Sequence, residues 1–231
     1  MSEPKHSEAF TAFKRTIEQR RTAKVLAEQP WQPTLNEDEQ KTLVEDLLSL
    51  AAYAPYHYKS AERYKKEGLT SSLPYRAYTL TASNCRKLAQ RLEPSQPPAG
   101  KIINMLWAAE ALLIFTWLPD VFGEQPQERI MEPLPFTGNL RNMEHIAATG
   151  AAITNVLLGA TANGFPNYWS SGGALRQQAA REVLNISLEE IMLGCLFVFP
   201  KDALDRGVEV KPGKLREEGK VLQDWATKIT L

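Results

Sequence analysis

The sequence contains few residues that bind metals or act as nucleophiles. Its 231 residues include two cysteines and three histidines. Neither the cysteines nor the histidines show the spacing of a metal site, and no Ser/His/Asp order indicates a hydrolytic triad. Cys195 lies inside an apolar run, which favours a small core residue over a reactive thiol. We therefore predict no metal and no catalytic side-chain nucleophile.

The sequence also has no excess of positive or negative charge. Lysine and arginine together number 27, and so do aspartate and glutamate. Without a global positive field, neither nucleic acid nor an anionic membrane surface is an expected partner. Hydrophobic residues at 43% and charged residues at 23% are ordinary for a soluble globular protein.

Long hydrophobic runs are missing as well. Residues 1–9 are polar and charged, without the apolar segment of a signal peptide, and we expect no membrane-spanning segment. Together with the low cysteine content, this predicts a reducing, cytoplasmic location. Neither an internal repeat nor a linker divides the chain, so residues 1–231 are predicted to form a single domain.

The periodicity of apolar residues predicts helices alternating with a few strands. A second helix should begin near Thr34 or Asn36, both possible caps, and end before Pro55. The segment 119–140, with four prolines, is expected to be a functional or mobile loop. The other predicted elements are helices over 8–20, 83–92, 101–107, 142–163 and up to about 184, and strands over 77–80, 111–117 and 191–199.

A basic run follows the first helix, where Arg20, Thr22 and Lys24 alternate with Arg21 and Ala23. If this segment is extended, its period of two directs the three alternating side chains the same way. A guanidinium, a hydroxyl and an ammonium group at one place suit a phosphate with an adjacent polyol. The alternative is a basic helix end that complements the helix dipole.

In its order of motifs the chain resembles the FMN-dependent nitroreductase family. Arg20, Thr22 and Lys24 match the R-x-[ST]-x-[RK] run of that family, and Ala54-Pro55 matches the end of its second helix. The long Ala-rich helix ending at Ala160–Phe165 and the turn 169–173 resemble the part that lies beside the flavin. Gly194 and Pro200, followed by a basic tail, resemble the last strand and its extension.

This resemblance implies an α+β, nitroreductase-like fold, with a central mixed β-sheet flanked by helices and an intertwined homodimer. It implies bound FMN, with backbone amides of the turn beside the isoalloxazine and the basic run at the phosphate and ribityl chain. Either Lys214 or Arg216 could be the second residue of the basic tail that reaches the phosphate. The residues expected to bind the cofactor are Arg20, Arg21, Thr22, Lys24, Ser170, Ser171, Gly172, Lys211 and Lys214.

The chain departs from the family pattern after the second helix. Where the family has S-x-x-N, this chain has the segment 56–59, Tyr-His-Tyr-Lys, followed by an insertion over 60–73. The insertion could be a flexible excursion, a helical turn or a lid. His57 and Tyr58 are candidates for the substrate side, although a loop histidine without a role and tyrosines that cover the core are the alternatives. Lys59 could serve the flavin edge or lie in solvent.

The resemblance implies an NAD(P)H oxidoreductase with ping-pong transfer through FMN to a flat small-molecule acceptor such as a nitroaromatic or quinone. NADH and NADPH both remain possible donors. A flavin-sequestering or regulatory protein of the same fold, another flavin reaction such as oxidation or dehalogenation, and an unrelated α+β binding module are the alternatives.

Overall fold

A computed structural model describes residues 7–94, 99–120, 136, 138–207, 209–212, 226–227 and 229 of the protein. The helices are α1 (Glu8–Gln19), α2 (Glu37–Ala51), α3 (Ala82–Leu92), α4 (Lys101–Ala108), α5 (Leu140–Ala162) and α6 (Gln178–Val183). The strands are β1 (Ala23–Leu26), β2 (Tyr75–Thr81), β3 (Ala111–Trp117), β4 (Asn167–Ser170), β5 (Ile191–Val198) and β6 (Glu209–Pro212). Short 3₁₀ turns cover Glu62–Tyr64, Gly173–Arg176 and Ala203–Asp205.

Four strands form the central sheet in the order β2-β3-β5-β4, and every neighbouring pair is antiparallel. Strands β1 and β6 form a second, antiparallel pair. The α+β class is thus confirmed, but the predicted mixed sheet is wrong for these four strands. Helices α3 and α4 bring the chain back to the end of the sheet at which β2 finishes, so that β3 runs antiparallel to β2. An isolated parallel bridge, Thr22 to Asn167, connects the β1 segment to β4.

The sheet separates two apolar clusters. One lies against α3, α4 and α6 and includes Leu88 and Phe197, whereas the other lies against α2 and α5 and includes Leu47 and Phe115. Strand β3 is buried along its whole length, as its continuous apolarity predicts. Both faces of the sheet are therefore covered by helices.

The ends of the two longest helices are set by local hydrogen bonds. Asn36, not Thr34, caps α2, and it forms a reciprocal capping box with Glu39. Gly164, with φ +79°, ends α5 in the left-handed conformation, while the amide of Phe165 donates to the Ala160 carbonyl at 2.9 Å. This pattern is a Schellman motif, which confirms the predicted glycine cap.

Within the described residues, α5 is the one helix long and apolar enough to cross a membrane by length and composition. Half of its most apolar window is buried inside the protein, against α2 and the sheet. A core helix passes the same test of length and composition, and the packing of α5 is that of a core helix.

Candidate functional site

The basic run lies in the extended segment that joins α1 to β1. Helix α1 ends at Gln19, and Arg20 has extended backbone angles, φ −57° and ψ 118°. Arg20, Thr22 and Lys24 are half-buried, while Ala23 between them is buried. The alternation places the three polar side chains on one side of the segment, apart from the core.

Arg21 is exposed and lies on the other side of the segment. Its guanidinium donates to the carbonyl of Glu18 in the last turn of α1 and is 3.3 Å from the carbonyl of Arg20. Carbonyls at a helix C-terminus lack intrahelical donors, so this contact is the helix-end role of a basic residue. Arg21 is thereby separated from Arg20, Thr22 and Lys24.

Strand β4 runs beside this basic segment. Thr22 forms its parallel bridge with Asn167 at the start of β4, and the Lys24 ammonium lies 5.5 Å from the centre of the Tyr168 ring. On the other side, Lys24 is opposite Lys211 in the β1–β6 register. The backbone position of Lys211 therefore lies beside the basic run, whereas Lys214 and Arg216 lie outside the described residues.

The other end of β4 leads into a tight turn. Ser170 is buried, and its hydroxyl accepts a hydrogen bond from the Gly172 amide at 3.1 Å. Gly172 has φ +109°, and a Cβ there would lie 2.9 Å from the Met192 sulfur. The Ser170 hydroxyl and the Gly172 amide thus hold the turn closed, while Ser171 is exposed at its tip.

Two residues at this turn were missed as candidate side chains. The Trp169 indole is 39% exposed and lies directly on Gly194 of β5, where a Cβ would be 2.0 Å from the indole nitrogen. The Arg176 guanidinium donates to the Ser171 carbonyl and is 3.4 Å from the Leu193 carbonyl. A flat indole surface and a cation therefore adjoin the turn. Gly194 is the sequence signal that indicates the place of the Trp169 indole, whereas no comparable signal indicates Arg176.

Strand β4 fixes the separation of the basic run and the turn. Asn167 and Ser170 are three residues apart, which is roughly 10 Å in a strand. An elongated ligand with an anionic group at one end and a flat ring at the other matches this spacing and this donor set. FMN has this shape, so the residues present fit it.

His57 and Tyr58 do not join this arrangement within one chain. The Nδ1 atom of His57 lies 2.9 Å from a carboxylate oxygen of Glu144, and the Tyr58 ring centre is 5.1 Å from the Arg141 guanidinium carbon. Both partners belong to the first turns of α5. The His57 side chain is 75% exposed, so its contact with Glu144 lies at the surface.

His145 is buried in the core and does not face a groove. Its Nδ1 atom is 2.7 Å from the Leu118 carbonyl at the end of β3, and its Nε2 atom has no hydrogen-bond partner in the described part of the chain. Burial lowers the pKa of the His145 imidazole, although the hydrogen bond to Leu118 opposes this shift. The neutral ring joins α5 to β3.

The insertion over 60–73 is anchored and is not a free excursion. Tyr64 is buried, and its hydroxyl donates to the Pro119 carbonyl at 2.7 Å. Arg63 donates to the same carbonyl at 2.8 Å, and Arg76 of β2 donates to the Tyr64 carbonyl. Most of the predicted loop 119–140 lies outside the described residues.

The two thiols are structural. Cys85 and Cys195 are buried, and burial raises the pKa of each thiol to about 12. Cys195 is thus a core residue, as expected. Among the described residues, no group of three or more His, Cys, Asp or Glu side chains is placed to hold a metal ion.

Solved structures of nitroreductase-like proteins share this fold. A nitroreductase-like family protein from Bacillus cereus is 18% identical, with 99% of each chain covered and a TM-score of 0.59. Nitroreductase CinD from Lactococcus lactis, in complex with nicotinic acid, is 14% identical, covers 86% of this chain and 100% of its own, and has a TM-score of 0.55. A nitroreductase with bound FMN from Bacteroides fragilis is 16% identical over 94% of this chain and 98% of its own, with a TM-score of 0.51.

No family model and no curated protein matches the sequence. At 14–18% identity, the likeness to these structures establishes the fold. The chain therefore has the nitroreductase-like fold, which confirms the resemblance seen in its motifs.

Proposed function

We propose that the protein is an FMN-dependent NAD(P)H oxidoreductase of the nitroreductase type. The observation that carries this proposal is the arrangement along β4, which places Thr22 and Lys24 at one end and the Ser170–Gly172 turn at the other. The fold supports it, because FMN is bound in a neighbour of the same fold.

In this proposal, Arg20 and Lys24 bind the phosphate, and Thr22 donates to the phosphate or the ribityl chain. Lys211 and Lys214 add positive charge from the C-terminal segment. Trp169 and the exposed amide of Ser171 adjoin the ring, and Arg176 places a cation near it. Arg21 contributes to the local potential from the far side of the segment.

Bound FMN would supply the hydride chemistry, accepting from NADH or NADPH and passing reducing equivalents to a flat acceptor such as a nitroaromatic or quinone. The protein's own task is to bind and orient these groups. Because donor and acceptor would use one site in turn, we expect ping-pong kinetics. His57 and Tyr58 remain predicted substrate-side residues, and a cytoplasmic location remains a prediction from composition.

We also propose that two copies of the chain form a homodimer that completes the site. Helix α1 has no buried residue within one chain, although Phe10, Phe13 and Ile17 form an apolar stripe along it. Met143 on the nearby α5 is also largely exposed. A second copy would cover these surfaces and could bring His57 and Tyr58 of one chain toward the β4 site of the other.

A catalytically weak, flavin-sequestering protein is the second candidate. The contacts that favour it are those of His57 with Glu144 and of Tyr58 with Arg141, which occupy the two side chains predicted to meet a substrate. In such a protein the flavin would bind but would be reduced slowly by nicotinamide nucleotides.

The visible absorption spectrum of the purified protein tests both candidates. We expect a flavin band that bleaches when NADH or NADPH is added under argon and returns when an acceptor is supplied. A flavin band that does not bleach supports sequestration. A colourless protein that takes up no added FMN contradicts both candidates and leaves a protein of this fold that does not use flavin.

A further inference from the structure

A cavity lies beside β2, at the opposite edge of the central sheet from β4. Strand β2 is the last strand on that side, and no described strand pairs with its outer edge. Three strand spacings separate β2 from β4, or roughly 14 Å. A ligand there would not compete for the basic run or the turn.

This cavity has a volume of about 320 Å³, which is at the lower end of the range for small-molecule sites. Residues of strand β2, helix α3 and the end of helix α6 line it. Its apolar lining consists of Tyr78, Leu80, Leu88, Val183 and Leu184. Such a lining suits a small aromatic or branched apolar group.

The Tyr78 ring is held in place from behind. Its hydroxyl lies 2.8 Å from both carboxylate oxygens of Glu190, which is fully buried. Glu190 also accepts from Thr116 at 2.6 Å and pairs with Arg76. A ring fixed in this way is a preorganised surface for an apolar ligand, because binding loses little side-chain entropy.

The polar lining of the cavity is cationic on one side. Asn84, Lys87 and Arg91 follow one another at helical spacing along α3. In the described part of the chain, no carboxylate lies within 4 Å of the Lys87 or Arg91 nitrogens. Like charges at i and i+4 repel each other on a helix, so an anion between them would relieve that repulsion.

A third cation lies behind the cavity wall. Arg181 is 8% exposed, and its Nε atom has no hydrogen-bond partner in the described part of the chain. The other side of its guanidinium donates to the Glu190 backbone carbonyl at 2.7 Å. Burial lowers the pKa of Arg181, and the negative charge of Glu190 opposes this.

The local charges leave an excess of positive charge. Glu190 balances one of two neighbouring arginines, the half-buried Arg76 and the buried Arg181, and the exposed Glu182 is hydrogen-bonded to Gln178 at 2.8 Å. In the described part of the chain, neither Lys87 nor Arg91 at the rim forms an ion pair with a carboxylate. These two cations favour a negative group at the rim of the cavity.

We propose that this cavity binds a small aromatic anion, with the ring against Tyr78 and Leu184 and a carboxylate or phosphate held by Lys87 and Arg91. The Asn84 amide supplies a further donor at the same rim. This inference is independent of the proposed flavin site.

Titration with 2-naphthoate, followed by two-dimensional amide NMR, tests the proposal. We expect shifts concentrated at residues 78–91 and 183–184, and weaker binding by the neutral 2-naphthamide. In the double variant K87Q/R91Q, the affinity for 2-naphthoate should fall roughly tenfold or more, since two charge-assisted contacts are lost.

The matched control is Arg20→Ala, which removes a cation from the proposed flavin site. It should leave the affinity for 2-naphthoate unchanged, so failure of the flavin proposal would not affect this result. The variant spectra also report whether the fold is retained. The proposal is overturned if K87Q/R91Q keeps its fold and its full affinity for 2-naphthoate, or if Arg20→Ala loses that affinity. It is also overturned if 2-naphthamide binds as well as 2-naphthoate, or if 2-naphthoate does not bind in the millimolar range.

Discussion

Arg20 is the residue on which the phosphate assignment depends most. It is half-buried at the start of the extended segment, on the same side as Thr22 and Lys24. We expect Arg20→Ala to weaken FMN binding by about 1.5–3 kcal/mol, or roughly 10- to 150-fold, because a charge-assisted contact is lost. Flavin fluorescence titration of the apoprotein measures this change.

Arg15→Ala provides the matched control, since Arg15 is an exposed arginine on α1 about one turn earlier. It should leave FMN affinity nearly unchanged, and neither variant should unfold the apoprotein. The phosphate assignment fails if Arg20→Ala retains full FMN affinity.

Gly172 is the residue on which the turn after β4 depends. Its φ of +109° disfavours any side chain, and an added Cβ would meet Met192 and Arg176 at 2.9 and 3.2 Å. We therefore expect Gly172→Ala to lower the free energy of unfolding by about 1–3 kcal/mol. Urea denaturation followed by far-UV circular dichroism measures this loss.

The control for this turn is Gly138→Ala, where an added Cβ meets no atom of the described residues within 4 Å and φ is not positive. Its stability should stay within about 0.5 kcal/mol of the wild type. Equal stability of the two variants would show that the turn is not constrained as described.

At the scale of elements, His145 links α5 to the end of β3 through a buried imidazole. Its pKa is lowered by burial, so above the unfolded-state value of about 6.5 the ring is neutral in both states. Below that value the unfolded chain binds the proton first. We therefore expect stability to fall as pH decreases from about 6.5 toward the lower pKa of the folded state.

Urea denaturation at pH 7.5 and at pH 5.5 measures this dependence. His145→Asn retains an amide donor for the Leu118 carbonyl but has no titrating group. Its stability should change less with pH than that of the wild type. If His145→Asn shows the same pH dependence as the wild type, the loss of stability at low pH is due to other titrating groups.

The insertion over 60–73 also acts at this scale. Tyr64 and Arg63 share the Pro119 carbonyl, and Arg76 donates to the Tyr64 carbonyl. Three segments of the chain thus meet at Tyr64, and burial raises the pKa of its phenol. The insertion stabilises the exit of β3, which a mobile lid would not do.

At the scale of the whole molecule, the exposed apolar stripe of α1 predicts a homodimer. The Phe13 side chain is 56% exposed within one chain. We expect Phe13→Glu to shift the protein from dimer to monomer and to reduce its flavin content, because a charge would have to be buried in the interface. Size-exclusion chromatography with light scattering measures the mass.

Leu204→Glu is the control, since Leu204 is 55% exposed on the 3₁₀ turn near the C-terminal segment. This variant should remain dimeric and retain its flavin. A monomeric wild type that binds FMN fully would contradict the proposed role of the dimer.

Much of the fold follows from local sequence patterns. Continuous apolarity predicts β3 with its observed bounds, and helical periodicity predicts α1 and α3 to within one residue at each end. The period of two in the basic run predicts that Arg20, Thr22 and Lys24 share one side of an extended segment. These features depend on residues only a few positions apart, so the sequence contains the whole signal.

Strands β4 and β6 escaped prediction because each has four residues and little alternation. β4 is stabilised by its pairing with β5. β6 is stabilised by its pairing with β1, which lies nearly 190 positions earlier in the chain. A residue far away in the chain also decides between Thr34 and Asn36 as the cap of α2. The Thr34 hydroxyl donates to the Glu110 carboxylate at 3.0 Å and is therefore not available to cap the helix.

The sequence by itself determined the class of the fold, its main helices and buried strands, and the residue types of the candidate site. Only the tertiary structure decided that β4 joins the basic run to the glycine turn, that Arg21 faces away, and that His57 and Tyr58 contact α5. The reason is physical: periodicity fixes which face of an element is apolar, whereas the free energy of packing distant segments fixes which polar side chains meet.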